Sequence, residues 1–316
     1  MGTAPAWTGR VVITGGAGFV GRAVVAAFVG RGNPVTVVDR NAHPDPAVRS
    51  VVGDLTDPRL IADALDGADV AGVVHLAAIT SVLRSVEHPV AVYQANLAVT
   101  QDLLEGCRQA GVGRFIMAST NAVVGDVGYA TVHEGVPLAP LTPYGATKAA
   151  AEMLLCGYAG SYRMATCALR FTNIYGPGME EKDSFVPRMM RAALAGRGVQ
   201  IYGDGRQRRD LVHIDDVVTA VQSAWDRRFT GTVIVGSGQS VTVLELLDAV
   251  RAVTGCPLPA EHIAAKPGEM PAVIVDISRA SEQLGYRPSV SLADGLATVW
   301  HDFLAAAAAT AGGPGR

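Results

Sequence analysis

The segment that most limits what this chain can fold into is Thr14-Gly15-Gly16-Ala17-Gly18-Phe19-Val20-Gly21. It sits between the apolar run Arg10-Val11-Val12-Ile13-Thr14 and a stretch from Phe19 to Arg31 with helical spacing. A strand that turns sharply into a helix, and lets a pyrophosphate approach its backbone there, needs positions without a Cβ. Gly15, Gly18 and Gly21 supply them, while the helix start offers free N–H groups and positive potential. Glycine patterns alone mean little in a chain with 36 glycines; the strand before this one and the helix after it give it weight. A second β-branched run, Pro34 to Asp39, ends in a carboxylate about 20 residues past the loop. There it can accept both hydroxyls of an adenine ribose and repel a 2′-phosphate. Its plainer reading is a turn aspartate at a strand end. The spacing favours the ribose, and so NAD over NADP, with Arg40 as the one neighbour that accommodates a phosphate. Asp54, after a third short strand at Val48–Gly53, either meets the adenine amine or serves as a turn or helix cap.

The same alternation continues with a helix at Pro58–Leu65, a strand at Val70–Ala78, a long helix at Pro89–Ala110 and a strand at Arg114–Ser119. Continuous apolar strands separated by helices specify a parallel sheet covered on both faces. Right-handed crossovers then make it a doubly wound α/β fold. After about Thr172 the rhythm changes: Tyr175-Gly176-Pro177-Gly178, helical Ser184–Ala195, Gly203-Asp204-Gly205, strand-like Leu211–His213, and helical Thr242–Thr254 and Ile277–Leu284. The reading is a nucleotide-binding sheet domain over residues 1–172, joined again by 211–237. A smaller interleaved α/β lobe spans 173–210 and 238–303, and the Ala- and Gly-rich tail 304–316 frays. Hydrophobic residues at 49% provide for a core and exclude a disordered chain. A net charge of −3 without a basic run argues against nucleic acid or an anionic membrane as partner. Cys107, Cys156, Cys167 and Cys256 lack metal-ligand or disulfide spacing and read as buried, reduced thiols of a cytoplasmic protein. Met1 to Thr8 hold no secretory h-region, and no apolar stretch is of spanning length. No metal is expected.

Tyr144-Gly145-Ala146-Thr147-Lys148 follows Pro143, which suits a helix start, so Tyr144 and Lys148 share a helix face. A phenol of pKa ~10 is too weakly acidic to act as a base at neutral pH, and a nearby ammonium lowers that value. Such a pair can take a proton from a sugar hydroxyl while hydride leaves for nicotinamide. In isolation Tyr-x-x-x-Lys is common on surface helices. Here it follows a dinucleotide loop and a strand ending Ser119-Thr120-Asn121, in which Thr120 is the expected donor to the reacting oxygen. His75 reads as a satisfied strand-end histidine rather than a catalyst.

Together these residues resemble the extended short-chain dehydrogenase/reductase family, in its nucleotide-sugar epimerase/dehydratase branch. The likeness runs from Arg10 to Phe303 and includes the glycine loop, His75-Leu76-Ala77-Ala78, Asn96, Ser119-Thr120 and Tyr144/Lys148. It extends to Arg170-Phe171-Thr172-Asn173-Ile174-Tyr175-Gly176-Pro177 and Arg209-Asp210-Leu211-Val212-His213. The resemblance implies bound NAD, a nucleoside-diphosphate sugar (UDP- or dTDP-linked hexose) as substrate and a ketose-like intermediate. It implies that Phe19, Val20, Leu55, Leu76, Ala77, Ala78 and Asn96 line the cofactor together with the loop glycines, Tyr144 and Lys148. Ser81, Ser119 and Asn121 would face the sugar. Asn173 and Arg209 would hold the diphosphate, with Val186 and Tyr202 near the base. An arginine fork suits phosphate oxygens, although a salt bridge to Asp210 or Asp215 is the plainer use of Arg209. Lys266 stands where relatives often carry a second phosphate-binding arginine and lacks the fork. A homodimer through the helices near Pro89–Ala110 and Tyr144–Tyr158 is a further family expectation.

Departures from the pattern narrow the reaction. In 4,6-dehydratase relatives the two residues after the active threonine are Asp and Glu, which carry the acid and base for loss of water. Asn121 and Ala122 stand there in this chain, and Val124 replaces a usual Tyr. A 4-epimerase needs only Thr120, Tyr144, Lys148 and NAD, and is the leading expectation. A 4-ketoreductase, a 5,6-dehydratase with a differently placed acid or base, and a non-catalytic NAD-binding regulator are the alternatives.

Overall fold

The computed structural model describes residues 9–265 and 270–311. The chain opens with β1 (Arg10–Thr14), α1 (Phe19–Gly30), β2 (Val35–Asp39), β3 (Arg49–Val52), α2 (Pro58–Leu65) and β4 (Val70–His75). Then come α3 (Val82–Glu87), α4 (Pro89–Tyr93), a wide π turn at Gln94–Ala98, α5 (Val99–Gln109) and β5 (Arg114–Thr120). A 3₁₀ turn (Asn121–Val124) and β6 (Thr131–Val132) lead to α6 (Pro143–Tyr162), β7 (Ala165–Phe171) and β8 (Asn173–Tyr175). Next are α7 (Phe185–Leu194), β9 (Val199–Tyr202), β10 (Arg208–His213), α8 (Ile214–Asp226) and β11 (Gly231–Val235). The chain ends with β12 (Ser240–Thr242), α9 (Val243–Thr254), β13 (Ala260–Ile263), β14 (Ile274–Val275), α10 (Ser278–Leu284) and α11 (Leu292–Ala311).

Seven strands form one sheet in the order β11-β7-β5-β4-β1-β2-β3, every pair parallel. The expected doubly wound α/β fold is what the chain adopts. Strand order reverses at β1, so a crevice opens outside the carboxyl ends of β1 and β4, where ligands of such sheets bind. One face is packed by α1 and α8 through Val24, Phe28 and Trp225; the other by α2, α5 and α6 through Ile61, Leu103, Leu104 and Leu155. Burying each such side chain contributes about 1.5–3 kcal/mol. A third apolar cluster joins α7, α9 and α11 through Met190, Leu247 and Phe303. Beside it lies a small sheet, β12-β10-β8, together with the pair β13-β9.

Several features differ from expectation. Of the four cysteines expected to be buried, Cys107 and Cys167 are, whereas Cys156 is exposed on α6 and Cys256 is half-buried. The strand from Val70 stops at His75, because the chain then bends to lay Ala77 against Gly15. The single helix expected over Pro89–Ala110 is broken by the π turn. Within that turn the Asn96 amide accepts from Ile79 N at 2.8 Å and donates to Ile79 O at 3.0 Å, holding the 76–80 loop as a neighbouring strand would. The segment 211–213 pairs with β8 in the small sheet, so the return to the large sheet begins with α8. The tail expected to fray from 304 is helical through Ala311. Val299 and Phe303 anchor α11 in the lobe core, and the alanines that follow are the best helix formers. Residues 312–316 of that expectation lie outside the described residues. No helix among the described residues is long and apolar enough to cross a membrane.

Candidate active site

The loop between β1 and α1 is shaped by absent side chains. Gly15 has φ +71°, and a Cβ there would stand 2.7 Å from Ala77 N; a Cβ on Gly21 would stand 2.0 Å from Gly15 O. Gly18 differs, since a Cβ would meet only Gly15 O at 3.3 Å and otherwise open space. α1 begins at Phe19 with no side-chain cap and no acidic residue in its first turn. Its leading amides at Phe19, Val20 and Gly21 therefore stay available to an anion. Asp39 closes the loop from β2: Oδ2 accepts from Ala17 N and Oδ1 from Asn41 N, both at 3.1 Å. A carboxylate can accept further hydrogen bonds beyond these two. The cradle thus fits a dinucleotide with a free 2′-hydroxyl. Arg40 is exposed beside Asp39. Asp54 adopts the turn role, its Oδ1 accepting from both Thr56 N and Thr56 Oγ1, bonds that pull its carboxyl below the usual range. Leu55 is buried and Leu76 and Ala78 are half-buried.

Beneath the crevice His75 is fully buried, with Nδ1 2.7 Å from Thr14 Oγ1 and Nε2 3.1 Å from Thr100 Oγ1. Burial, and then the positive charge of Lys148, push its pKa down to about 3, so it is neutral. It braces the strands rather than meeting ligand.

The candidate catalytic groups converge from β5 and α6. Thr142 caps α6 by accepting from Gly145 N at 3.3 Å, and Pro143 begins the helix. A Cβ on Gly145 would stand 2.6 Å from Ala122 O, so the helix start lies tight against the 3₁₀ turn that follows Thr120. Burial raises the Tyr144 phenol above its ordinary pKa, and the Thr120 side chain nearby offsets only part of that; the lowering expected from the Lys148 ammonium does not appear. Lys148 is buried, and its Nζ donates to Ala118 O at 2.8 Å. Burial brings its pKa down to about 8, while the Glu152 carboxylate works in the opposite direction.

Several expected contacts fall elsewhere. The Ser119 hydroxyl is directed at α6 and donates to Glu152 Oε1 at 2.5 Å, so it is not presented to a substrate. The Ser81 hydroxyl caps α3. Asn96 is buried and serves the loop, as above. Val186 points into the apolar core of the lobe, which leaves only its backbone for a base. Asn121 is buried, its Nδ2 donating to Phe171 O at 3.4 Å. Asn173 Nδ2 donates to Asp210 O at 3.0 Å, and Tyr202 is half-buried at the end of β9. Arg209 lies on β10 with Nη1 donating to Arg208 O and its guanidinium 5.9 Å from the Phe185 ring centre. Lys266 lies outside the described residues. One group the sequence reading passed over is Glu152, buried and bidentate to Arg170 at 2.7–3.2 Å. Its signal was present, four residues after Lys148 on the same helix face.

The model of the NAD dependent epimerase/dehydratase family matches residues 11–235. The chain belongs to this family. It is 32% identical over 308 residues to a dTDP-glucose 4,6-dehydratase of an Actinoplanes species, covering 91% of this chain and 95% of that protein. Its fold is similar to the UDP-glucose 4-epimerase of Thermotoga maritima solved with UDP-glucose. That likeness has a TM-score of 0.91 at 30% identity and covers 94% of this chain and 99% of the other. The Thermus thermophilus UDP-glucose 4-epimerase in complex with NAD is likewise similar, with a TM-score of 0.88 at 32% identity over 94% of this chain and 99% of that one. NAD is the cofactor of the family, in keeping with the cradle and with Asp39.

Proposed function

We propose that this family member is an NAD-dependent nucleotide-sugar 4-epimerase. The observation that carries the reading is the convergence of Thr120, Tyr144 and buried Lys148, with Asn121 and Ala122 directly after the threonine. An amide and a methyl group neither deliver nor remove a proton near neutral pH, so elimination of water by the dehydratase route lacks its acid and base. Overall identity does not separate the two reactions, since dehydratases and epimerases stand at similar distance. The proton chemistry at these two positions favours the epimerase.

In this reading Asn173 and Arg209 hold the substrate diphosphate and place the sugar over the carboxyl ends of β4 and β5. Bound NAD supplies the acceptor, and then the donor, of the hydride at sugar C4. Tyr144, as a phenolate favoured by the Lys148 ammonium against the upward push of burial, takes the C4 hydroxyl proton, keeps it while the 4-keto sugar turns, and returns it to the C4 oxygen as hydride arrives on the opposite face of the carbon. Thr120 holds the reacting oxygen during both transfers. Lys148 keeps a positive charge under the site. A homodimer through the helical stretch Pro89–Ala110 (α4, the π turn and α5) and α6 is part of the same reading, supported by the exposed apolar side chains of Val90, Tyr93 and Met153.

The test is incubation of the purified protein with a panel of UDP- and dTDP-hexoses without added cofactor, followed by NMR of the sugar. A C4 epimer reaching equilibrium, with no net change in nicotinamide absorbance, is expected. A 4-keto-6-deoxy sugar would move the assignment to a dehydratase; no product here, with stoichiometric oxidation of NADPH in a parallel incubation supplied with NADPH and a 4-keto sugar nucleotide, would move it to a ketoreductase.

A further inference from the structure

Lys148 is enclosed on several sides, and the groups around it carry unequal charge. On α6 it is flanked by Tyr144 one turn before and Glu152 one turn after. From β4 it faces the neutral His75, and from β5 the carbonyl of Ala118, which accepts from Nζ at 2.8 Å. Behind Glu152, on β7, lies Arg170, bound through Nε and Nη2 at 2.7–3.2 Å with both side chains at most 4% exposed. The second use of the same carboxylate is the 2.5 Å bond from Ser119 Oγ, on the residue immediately before Thr120. Glu152 thus grips the strand end that carries the threonine, and its charge stands one helical turn from the lysine on the same face of α6.

We propose that Glu152 is a positioning residue for the Thr120–Tyr144–Lys148 group: its buried carboxylate holds Lys148 as an ammonium and fastens the end of β5 to α6. An ammonium removed from water reverts to the neutral amine unless a negative charge stands near it. Among the described residues around Lys148, Glu152 is the one that carries such a charge. Arg170 offsets part of it but also fixes it in place, since a planar guanidinium held on two edges allows the carboxylate one orientation. Even with the Glu152 charge in place, burial brings Lys148 down to about 8, so this carboxylate bears on its charge across the working range. The kinetic part of the proposal rests on the epimerase reading; the protonation part does not.

The chain has three lysines, Lys148, Lys182 and Lys266, so protein carrying ¹³Cε-lysine gives a short spectrum in which Lys148→Arg assigns the buried signal. In Glu152→Gln the titration midpoint of Lys148 is expected to fall by about one pH unit or more. Glu152→Gln also leaves Arg170 without its partner and can fail to fold. Glu152→Gln with Arg170→Met removes both charges, and is expected to recover thermal stability while keeping a lowered midpoint. Glu152→Asp should restore the parent midpoint in part. In turnover, the alkaline limb of kcat should move down with the midpoint, with KM little changed. An unmoved Lys148 midpoint in the single or the double variant would overturn the proposal and leave Glu152 as a structural brace. If no nucleotide sugar is epimerised by the parent, the NMR titration still decides the matter.

Discussion

The side chain of Thr120, at the end of β5, lies beside the phenol of Tyr144, in the first turn of α6, and offsets part of the rise that burial imposes on its pKa. Two residues 24 positions apart therefore act on one oxygen, and their removal should not be additive. Tyr144→Phe is expected to lower kcat by about 10²–10⁴-fold, the usual span for a general acid–base. Thr120→Val should cost about tenfold to a hundredfold. The double variant should be no slower than Tyr144→Phe alone, within a few-fold. NAD should remain bound in all three, as read by cofactor content after gel filtration. Near-parent turnover in Tyr144→Phe would remove its assigned role.

Asp39 joins the cofactor question to the loop geometry. Its carboxylate is fixed by the Ala17 and Asn41 amides, so it cannot swing away from an approaching 2′-phosphate without losing both bonds. Fluorescence titration should give NADH a preference over NADPH of at least about tenfold, or 1.4 kcal/mol. Asp39→Ser should narrow that ratio mainly by improving NADPH. A parent protein that prefers NADPH would shift weight to a reductase.

His75 makes the acid stability of the fold predictable. Its pKa in the folded chain is about 3 against 6.5 for the free side chain, chiefly through burial. Between these values the unfolded chain binds a proton that the folded one refuses, so stability falls as pH drops from about 6.5 toward 3. Above 6.5 the contribution is complete. At about pH 4.5 the loss amounts to about 2–3 kcal/mol from this residue alone. Thermal melts of the parent and of His75→Gln should therefore converge on acidification, the variant being less stable at pH 7 and less sensitive to acid. Parallel curves would show that the histidine is not the group that titrates.

The parts of the site that follow from contiguous residues were legible in the sequence. The strand–glycine–helix unit, the carboxylate at Asp39 and the Tyr144/Lys148 spacing each express a local requirement of backbone or helix geometry. What was hidden depends on which way a side chain faces and on partners far along the chain. Ser119 and Thr120 are adjacent hydroxyls, and strand alternation sends them to opposite sides. Nothing in the sequence alone says that the first is taken by Glu152. The break in the helix after Tyr93 comes from Asn96 pairing with Ile79, 17 residues earlier, which leaves no trace in apolar periodicity. Val186 belongs to an apolar stripe on α7, and core packing claims its side chain before any base can.

Arg209 is where the substrate reading meets its simplest check. It lies on β10, largely buried, with one guanidinium nitrogen on the Arg208 carbonyl and its plane near Phe185. Next to it, Asp210 is occupied by Thr172 and Ser237. A salt bridge to Asp210, the plainer use of this arginine, is therefore not what holds the carboxylate in place. If Arg209 grips a diphosphate, it does so equally before and during the reaction, because the diphosphate does not change. Its loss should then appear in KM and leave kcat nearly intact. Arg209→Ala is expected to raise KM by about tenfold to a hundredfold, the scale of one charge-assisted hydrogen bond of about 1.5–3 kcal/mol. Arg209→Lys should recover part of it, keeping the charge without the fork. The same variant should weaken binding of free nucleoside diphosphate by a matching factor in calorimetry. An unchanged KM with unchanged diphosphate affinity would place the phosphate contact on another residue.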